Sequence, residues 1–388
     1  MTTAQSDPVT PVSREPQRKT GTRVWLLLLI AALAAVVWYK FAYVPSPRVA
    51  LITSGDGPYW DPVIAGAKEA AKDFDVKLVV DRIKSDPFVQ ADVLKQRNEQ
   101  RDIDAIAISP LNASIQANLL AEVAATKTLV TLDSDSPVTG RFLFVGTDNY
   151  AAGREAGAIV REALPEGGGL IISLGNADKE NTQHRRQGVI DELLDRPEEP
   201  MRKPDAMDQP IKGEKYTIVA TIVDESDPAK ATELVAAALK ADGNVKCVVG
   251  LLGYSAPAIV KAVEQTGKAG QVKVIGFDVA EETKSGIEAG TVYATIMQDQ
   301  WGQGYHAIRV LSDKARGIKG GLPLWQMHAL PYRAIRKDNL ADARLNAGAP
   351  GAAAKAPAAA GDTSGEAQPV AAEGEAPPTT KPAPAPAS

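Results

Sequence analysis

The stretch Val272–Gln298, VKVIGFDVAEETKSGIEAGTVYATIMQ, contains two strand-like runs with a helix-like segment between them. The first, Val272–Phe277, is apolar and stops at a carboxylate, Asp278. The second, Tyr293–Met297, stops at an amide, Gln298. Strand, helix, strand is the repeat of a parallel α/β sheet, and such sheets bind small molecules at the carboxyl ends of their strands. The segment therefore offers one hydrogen-bonding side chain after each of two strands. Planar carboxylates and amides can each address more than one hydroxyl, which suits a polyhydroxylated ligand.

Working outward, the alternation continues from Arg48 to about Leu340. Five strand candidates come first: Arg48–Thr53, Val76–Asp81, Ala105–Ser109, Thr128–Leu132 and Phe142–Gly146. Five more come after them: Leu170–Leu174, Thr217–Val223, Lys246–Leu251, Val272–Phe277 and Tyr293–Met297. Helical stretches such as Asp61–Phe74, Val89–Arg101 and Ala151–Leu164 lie between them. Alternation of this kind predicts βαβ units, parallel sheets and, from two groups of five, two similarly wound lobes. The break falls near Gly146-Thr147-Asp148-Asn149. The insert Arg196–Lys215, with its prolines, reads as an exposed loop without chemistry.

The residues after the other strands form a related set. They include Gly57-Pro58-Tyr59-Trp60, Asp133-Ser134-Asp135, Asn181-Thr182-Gln183-His184-Arg185 and Gly253-Tyr254-Ser255. Aromatic faces beside carboxylates and amides suit a sugar, whose rings carry C–H faces and hydroxyls. Single members also have plainer explanations. Asp133 or Asp278 can be a helix N-cap, Tyr59 and Trp60 can be core, and Asp148 can be a hinge turn or cap.

Composition narrows the function. The chain has 388 residues, 44% of them hydrophobic, and a net charge of −5 without a dense basic face, which argues against nucleic acid. One cysteine, Cys247, excludes an intrachain disulfide framework, and the three histidines lack metal-ligand spacing. No metal or cofactor is expected. Asp133 and Asp278 could be pictured as a glycosidase acid/base pair, but no histidine, cysteine or serine constellation accompanies them, and no dinucleotide fingerprint comes after the first strand. The chain reads as a non-enzyme.

The ends are different in kind. Arg14, Arg18, Lys19 and Arg23 precede the uncharged run Val24–Trp38, an order that sends the rest of the chain across the membrane. Counted to Val44, the run is about 20 residues, marginally enough to span a bilayer. An uncleaved signal-anchor in the inner membrane is preferred to a cleaved signal peptide. Residues 344–388, rich in Ala and Pro, read as a disordered tail.

These motifs resemble the ribose-type sugar-binding proteins of ABC importers, type I periplasmic binding proteins, from about Arg48 to Arg336. The likeness rests on Gly57-Pro58-Tyr59-Trp60, Val130-Thr131-Leu132-Asp133, Gly146-Thr147-Asp148-Asn149, Asn181–Arg185 with Gly188, Ile275–Asp278 and Ala294–Gln298 in the family's order. It implies two Rossmann-like lobes joined by three hinge strands. Residues 45–147 with 299–325 would form the first lobe, and 148–298 with 326–343 the second. The family's ligand-contact positions fall on Tyr59, Trp60, Asp133, Gln183, Asp278 and Gln298, with Tyr254 or Ser255 where the family usually has Asn. Thr147 and Asp148 fall at the hinge. Gly57 stands where ribose binders carry a polar side chain, and Ser134 and Gln183 stand where they carry arginines. The cleft would then be acidic, through Asp133, Asp135 and Asp278. The resemblance therefore implies an exported, monomeric binder of a neutral sugar or polyol that serves an ABC permease. The alternative is a membrane-anchored sensor reporting to a receptor or kinase.

Overall fold

A computed structural model describes residues 20–42, 46–199, 202–318 and 326–344. By its contacts the chain divides into two units, Met1–Ala352 and Ala353–Ser388. The predicted disordered tail, apart from Arg344 at its start, lies outside the described residues. Helix α1 (Thr20–Ala42) precedes the α/β body, and its apolar side chains, such as Trp25 and Leu27, are exposed. Among the described residues, no helix is long and apolar enough to cross a membrane. The expected membrane anchor is thus not supported.

The first lobe contains β1 (Arg48–Ile52), β2 (Lys77–Asp81), β3 (Ala105–Ile108), β4 (Thr128–Leu132) and β5 (Leu143–Thr147). The second contains β6 (Gly168–Leu174), β7 (Ile211–Lys212), β8 (Tyr216–Val223), β9 (Val245–Gly250), β10 (Lys273–Phe277) and β11 (Ala294–Gln298). Two late strands, β12 (Met327–Leu330) and β13 (Tyr332–Ile335), complete the sheets. The orders are β12-β5-β4-β3-β1-β2 and β13-β11-β10-β9-β6-β8-β7. Without the short β7 and the late strands, both sheets have the same parallel winding, as the two groups of five predicted. Continuous Val, Ile and Leu runs, buried on both faces, are what a sheet covered by helices on each side requires.

Crossovers are made by α2 (Trp60–Asp73), α3 (Pro87–Glu99) and α4 (Ala117–Thr126) in the first lobe. In the second, α6 (Glu180–Leu193), α7 (Pro228–Ala241), α8 (Ser255–Gln265) and α9 (Glu281–Ala289) serve this role, while α5 (Asn149–Ala163) leads from β5 of the first sheet into β6. Helix α10 (Gln300–Ala315) comes after β11 but returns to the first lobe and packs on α2. The lobes therefore communicate at three crossings: β5 to α5, β11 to α10, and β12 to β13. Thr147 and Asp148 lie at the first, where the Asp148 carboxylate caps α5 by accepting from the Ala151 amide at 2.9 Å. The boundary expected at residue 326 is wrong. β12 pairs with β5 in the first sheet, and the chain changes lobes only at Pro331, because β13 pairs with β11.

Two helix pairs approach backbone to backbone, and in the second lobe this sets the position of α6. A Cβ at Gly188 would run into the Tyr150 carbonyl of α5, and one at Gly153 into the Arg185 carbonyl. Gly188→Ala is expected to lower the unfolding free energy by about 1–3 kcal/mol through overpacking, measured by urea unfolding.

The insert after α6 is not a free loop. The Arg202 guanidinium pairs with Asp191 at 2.7 Å, Arg196 with Asp205 at 2.8 Å, and Ile211 is buried. Cys247 is buried in β9, and burial pushes its thiol up to about 12.

Candidate ligand-binding site

Asp133 and Asp278 occupy equivalent places in the two lobes, immediately after the fourth strand of each repeat, β4 and β10. Both adopt the left-handed backbone conformation, each with φ of 62°. Such a conformation is uncommon for a residue with a side chain, although Asp tolerates it better than most. Neither caps a helix: α9 starts three residues after Asp278, with Ala280 at its N-cap. The turn instead brings each carboxylate into a cleft of about 1320 Å³ between the lobes. Tyr59, Trp60, Lys179, Arg185, Tyr254 and Gln300 line the same cleft.

Asp133 is 3% exposed and surrounded by donors. Its Oδ1 accepts from the Tyr59 hydroxyl at 2.9 Å and the Asn181 amide at 3.1 Å. Its Oδ2 accepts from the Ser109 hydroxyl and the Lys179 ammonium, both at 2.9 Å. Burial by itself would raise this carboxyl, but the charges of Lys179 and Arg185, with the bonds from Lys179 and Ser109, hold it below its ordinary range. Tyr59 contacts Trp60 edge to face at 5.2 Å, so the aromatic pair is packed against the first lobe as well as facing the cleft.

Asp278 differs. Among the described residues only its Oδ1 is engaged, by the Gln298 amide at 2.9 Å and the Gln300 amide at 3.2 Å. Burial pushes its carboxyl up to about 6, against the opposing pull of Arg185. Below the unfolded value of 3.8 the group is protonated in both states and contributes nothing. Between 3.8 and about 6 the folded chain keeps a proton that the unfolded chain has released, so stability falls as pH rises. Above that window the full cost is present, on the order of 3 kcal/mol. The stability of Asp278→Asn relative to the original chain is therefore expected to increase from pH 4 to pH 7, as read by unfolding at both values.

Behind Asp278 lies a buried chain of polar groups. The Arg185 guanidinium donates to the Gln298 Oε1 at 2.8 Å, the Asn149 Oδ1 at 2.9 Å and the Leu251 carbonyl at 2.9 Å. It also lies over the Phe277 ring, 4.6 Å from the centroid. Gln298 thus couples Arg185 to Asp278, and it does not itself line the cleft.

The other sequence-derived positions fall in different surroundings. Tyr254 lines the cleft with its hydroxyl donating to the buried Asp224, which also accepts from the Ser173 hydroxyl at 3.1 Å. Ser255 is buried at the start of α8, outside the cleft lining. Asp135 lies away from the cleft. It is ion-paired with the Arg141 guanidinium and accepts from the Thr131 hydroxyl at 2.6 Å. Gln183 faces a separate depression of about 190 Å³ and donates to the Ala177 carbonyl at 2.6 Å.

The cleft is consequently not the acidic one expected from the sequence. At its base two cations, Lys179 and Arg185, stand against the two carboxylates Asp133 and Asp278. A guanidinium does reach the cleft, from Arg185 and not from position 183, because Arg185 lies one helical turn from Asn181, whose amide meets Asp133. That i, i+4 spacing was visible in the sequence. Lys179 and Gln300 had no comparable signal, whereas Ser54 directly follows the first predicted strand. Among the described residues, no group of three His, Cys, Asp or Glu could hold a metal ion.

Residues 49–319 match the periplasmic binding protein domain. The chain is 24% identical over 313 residues to the D-allose-binding periplasmic protein of Escherichia coli (strain K12), covering 77% of this chain and 91% of that one. Its fold is similar to that of GanP, a glucose-galactose binding protein from Geobacillus stearothermophilus, with a TM-score of 0.68, 25% identity, and coverage of 76% and 99%. An ABC transporter solute-binding protein from Burkholderia graminis C4D1M, solved with D-arabinose, gives a TM-score of 0.67 at 24% identity, with coverage of 76% and 96%. With two type I lobes, a polar cleft between them and a domain match over most of its length, the chain belongs to the periplasmic binding protein family, whose members bind solutes and are not enzymes.

Proposed function

We propose that this protein captures a neutral monosaccharide or sugar-like polyol in the interlobe cleft and delivers it to an ABC-type permease. The observation that carries this reading is the charge pairing at the base of the cleft. Asp133 with Lys179, and Asp278 near Arg185, leave little net charge for a ligand to neutralise, while offering both donors and acceptors for hydroxyls. Tyr59, Trp60 and Tyr254 supply flat faces beside these groups. The similarity to allose-binding, glucose-galactose-binding and arabinose-bound proteins supports a sugar as the solute. Family membership puts the work outside the cytoplasm. Closure would turn about the crossings at Asp148, Asp299 and Pro331, with the ligand shifting the open–closed population.

A thermal-shift panel of pentoses, hexoses, polyols and amines tests the ligand class. One class of neutral sugar or polyol is expected to stabilise the chain by about 2.7 kcal/mol at a hundredfold excess over its dissociation constant. Stabilisation by amines alone would reject the sugar reading. Co-purification with permease subunits is expected, and recovery of a receptor or kinase instead would replace delivery with sensing.

A further inference from the structure

Three consecutive residues at the start of α6 reach across to the first lobe. The Asp178 carboxylate accepts from the Asn112 amide at 3.0 Å, and the Glu180 carboxylate accepts from the Asp135 backbone N–H at 3.1 Å. Between them, the Lys179 ammonium donates to the Asp133 Oδ2 and the Ser54 Oγ, each at 2.9 Å. Ser109 completes a ring, donating to Asp133 at 2.9 Å and lying 3.2 Å from the Ser54 hydroxyl. The lysine side chain is only 11% exposed, yet it lines the ligand cleft.

An ammonium has three N–H donors, and here two are taken by the protein. A carboxylate has about four acceptor positions, and Asp133 fills them with Tyr59, Asn181, Ser109 and Lys179. We propose that Lys179 is a specificity-determining residue of the ligand site, giving its third N–H to an acceptor oxygen of the bound sugar. Asp133 then holds that lysine in place, and the ligand's hydroxyl protons go to Asp278, whose Oδ2 has no hydrogen-bond donor among the described residues. The two carboxylates are equivalent in the fold and unequal in use. The neighbouring bonds of Asp178 and Glu180 fix the backbone on either side, so the ammonium is pre-positioned at little cost in entropy when ligand arrives.

This inference rests on the cleft being a sugar site. Full-length chain, Lys179→Met and Asn112→Ala are titrated calorimetrically with D-allose, D-ribose, D-arabinose, D-glucose and D-galactose, and then with monodeoxy analogues of whichever sugar binds. Lys179→Met is expected to weaken that sugar about tenfold or more, the value of a hydrogen bond to a charged donor. For one monodeoxy analogue, the penalty seen in the original chain should disappear in Lys179→Met. Asn112→Ala, which removes the interlobe bond to Asp178 and the turn bonds from the Ser114 and Ile115 amides but leaves the bonds of Lys179 itself in place, should lose less affinity than Lys179→Met and keep every deoxy penalty of the original chain. If Lys179→Met unfolds the chain, Lys179→Met with Asp133→Asn removes the stranded carboxylate and is titrated in its place. The proposal falls if the lysine variant binds within about twofold of the original chain, if Asn112→Ala loses as much affinity, or if every deoxy penalty survives. Binding by the original chain of none of these sugars and of none of the sugars and polyols in the thermal-shift panel rejects the sugar reading and this proposal with it.

Discussion

Arg185→Met is expected to lower the unfolding free energy by about 3–5 kcal/mol and to abolish ligand binding, the first read by urea unfolding and the second by calorimetry. Arg185 is 1% exposed and donates to three acceptors on residues that are themselves buried. Methionine fills a similar length over Phe277 but leaves the Leu251 carbonyl and the Asn149 and Gln298 side-chain oxygens without that donor. Unmet buried acceptors cost about 1–3 kcal/mol each, with partial relief from relaxation. Gln298 would be free to turn, and with it the amide that fixes Asp278. A variant of ordinary stability would mean that the buried chain from Asn149 to Asp278 is not the support of the second lobe's site.

The second large effect is on binding alone. Asp278→Ala is expected to eliminate the ligand-induced stabilisation, about 2.7 kcal/mol at a hundredfold excess of ligand over its dissociation constant. The unliganded fold should survive, because the carboxylate's ionised form is destabilised by burial and its removal strands only the Gln298 and Gln300 amides. Asp133→Ala should behave differently, contrary to the equivalence suggested by the sequence. It would leave the Lys179 ammonium and three other donors facing an apolar methyl, so loss of stability is expected together with loss of binding. A full thermal shift with sugar in Asp278→Ala would show that the ligand does not use this carboxylate.

The positions of Asp278 and Gln298 at strand ends were legible because strand period is a local property, but only Asp278 lines the cleft, with Gln298 behind it. Val272–Phe277 had to be a buried parallel strand, and a polar residue directly after it had to sit at the binding edge of the sheet. Asp133 was legible by the same argument, as was the winding of both lobes. Asp135 misled because two residues past a strand end the chain has already turned, and Arg141 takes its charge. Gln183 misled because a helix shows its neighbours different faces, and Arg185 lines the cleft while Gln183 faces the separate depression. β12 was placed in the wrong lobe because a four-residue strand carries no mark of its sheet; its partner β5 decides.

The segment Val272–Gln298 and its repeats thus determined two wound lobes and the edge where a ligand sits, since hydrophobic period and chain order act over short distances. The tertiary structure alone decided the charge of that edge. Lys179 and Arg185 come from a helix far in sequence from Asp278 and from the opposite lobe to Asp133. Pairing of charges depends on distance in space, and only the folded chain sets that distance.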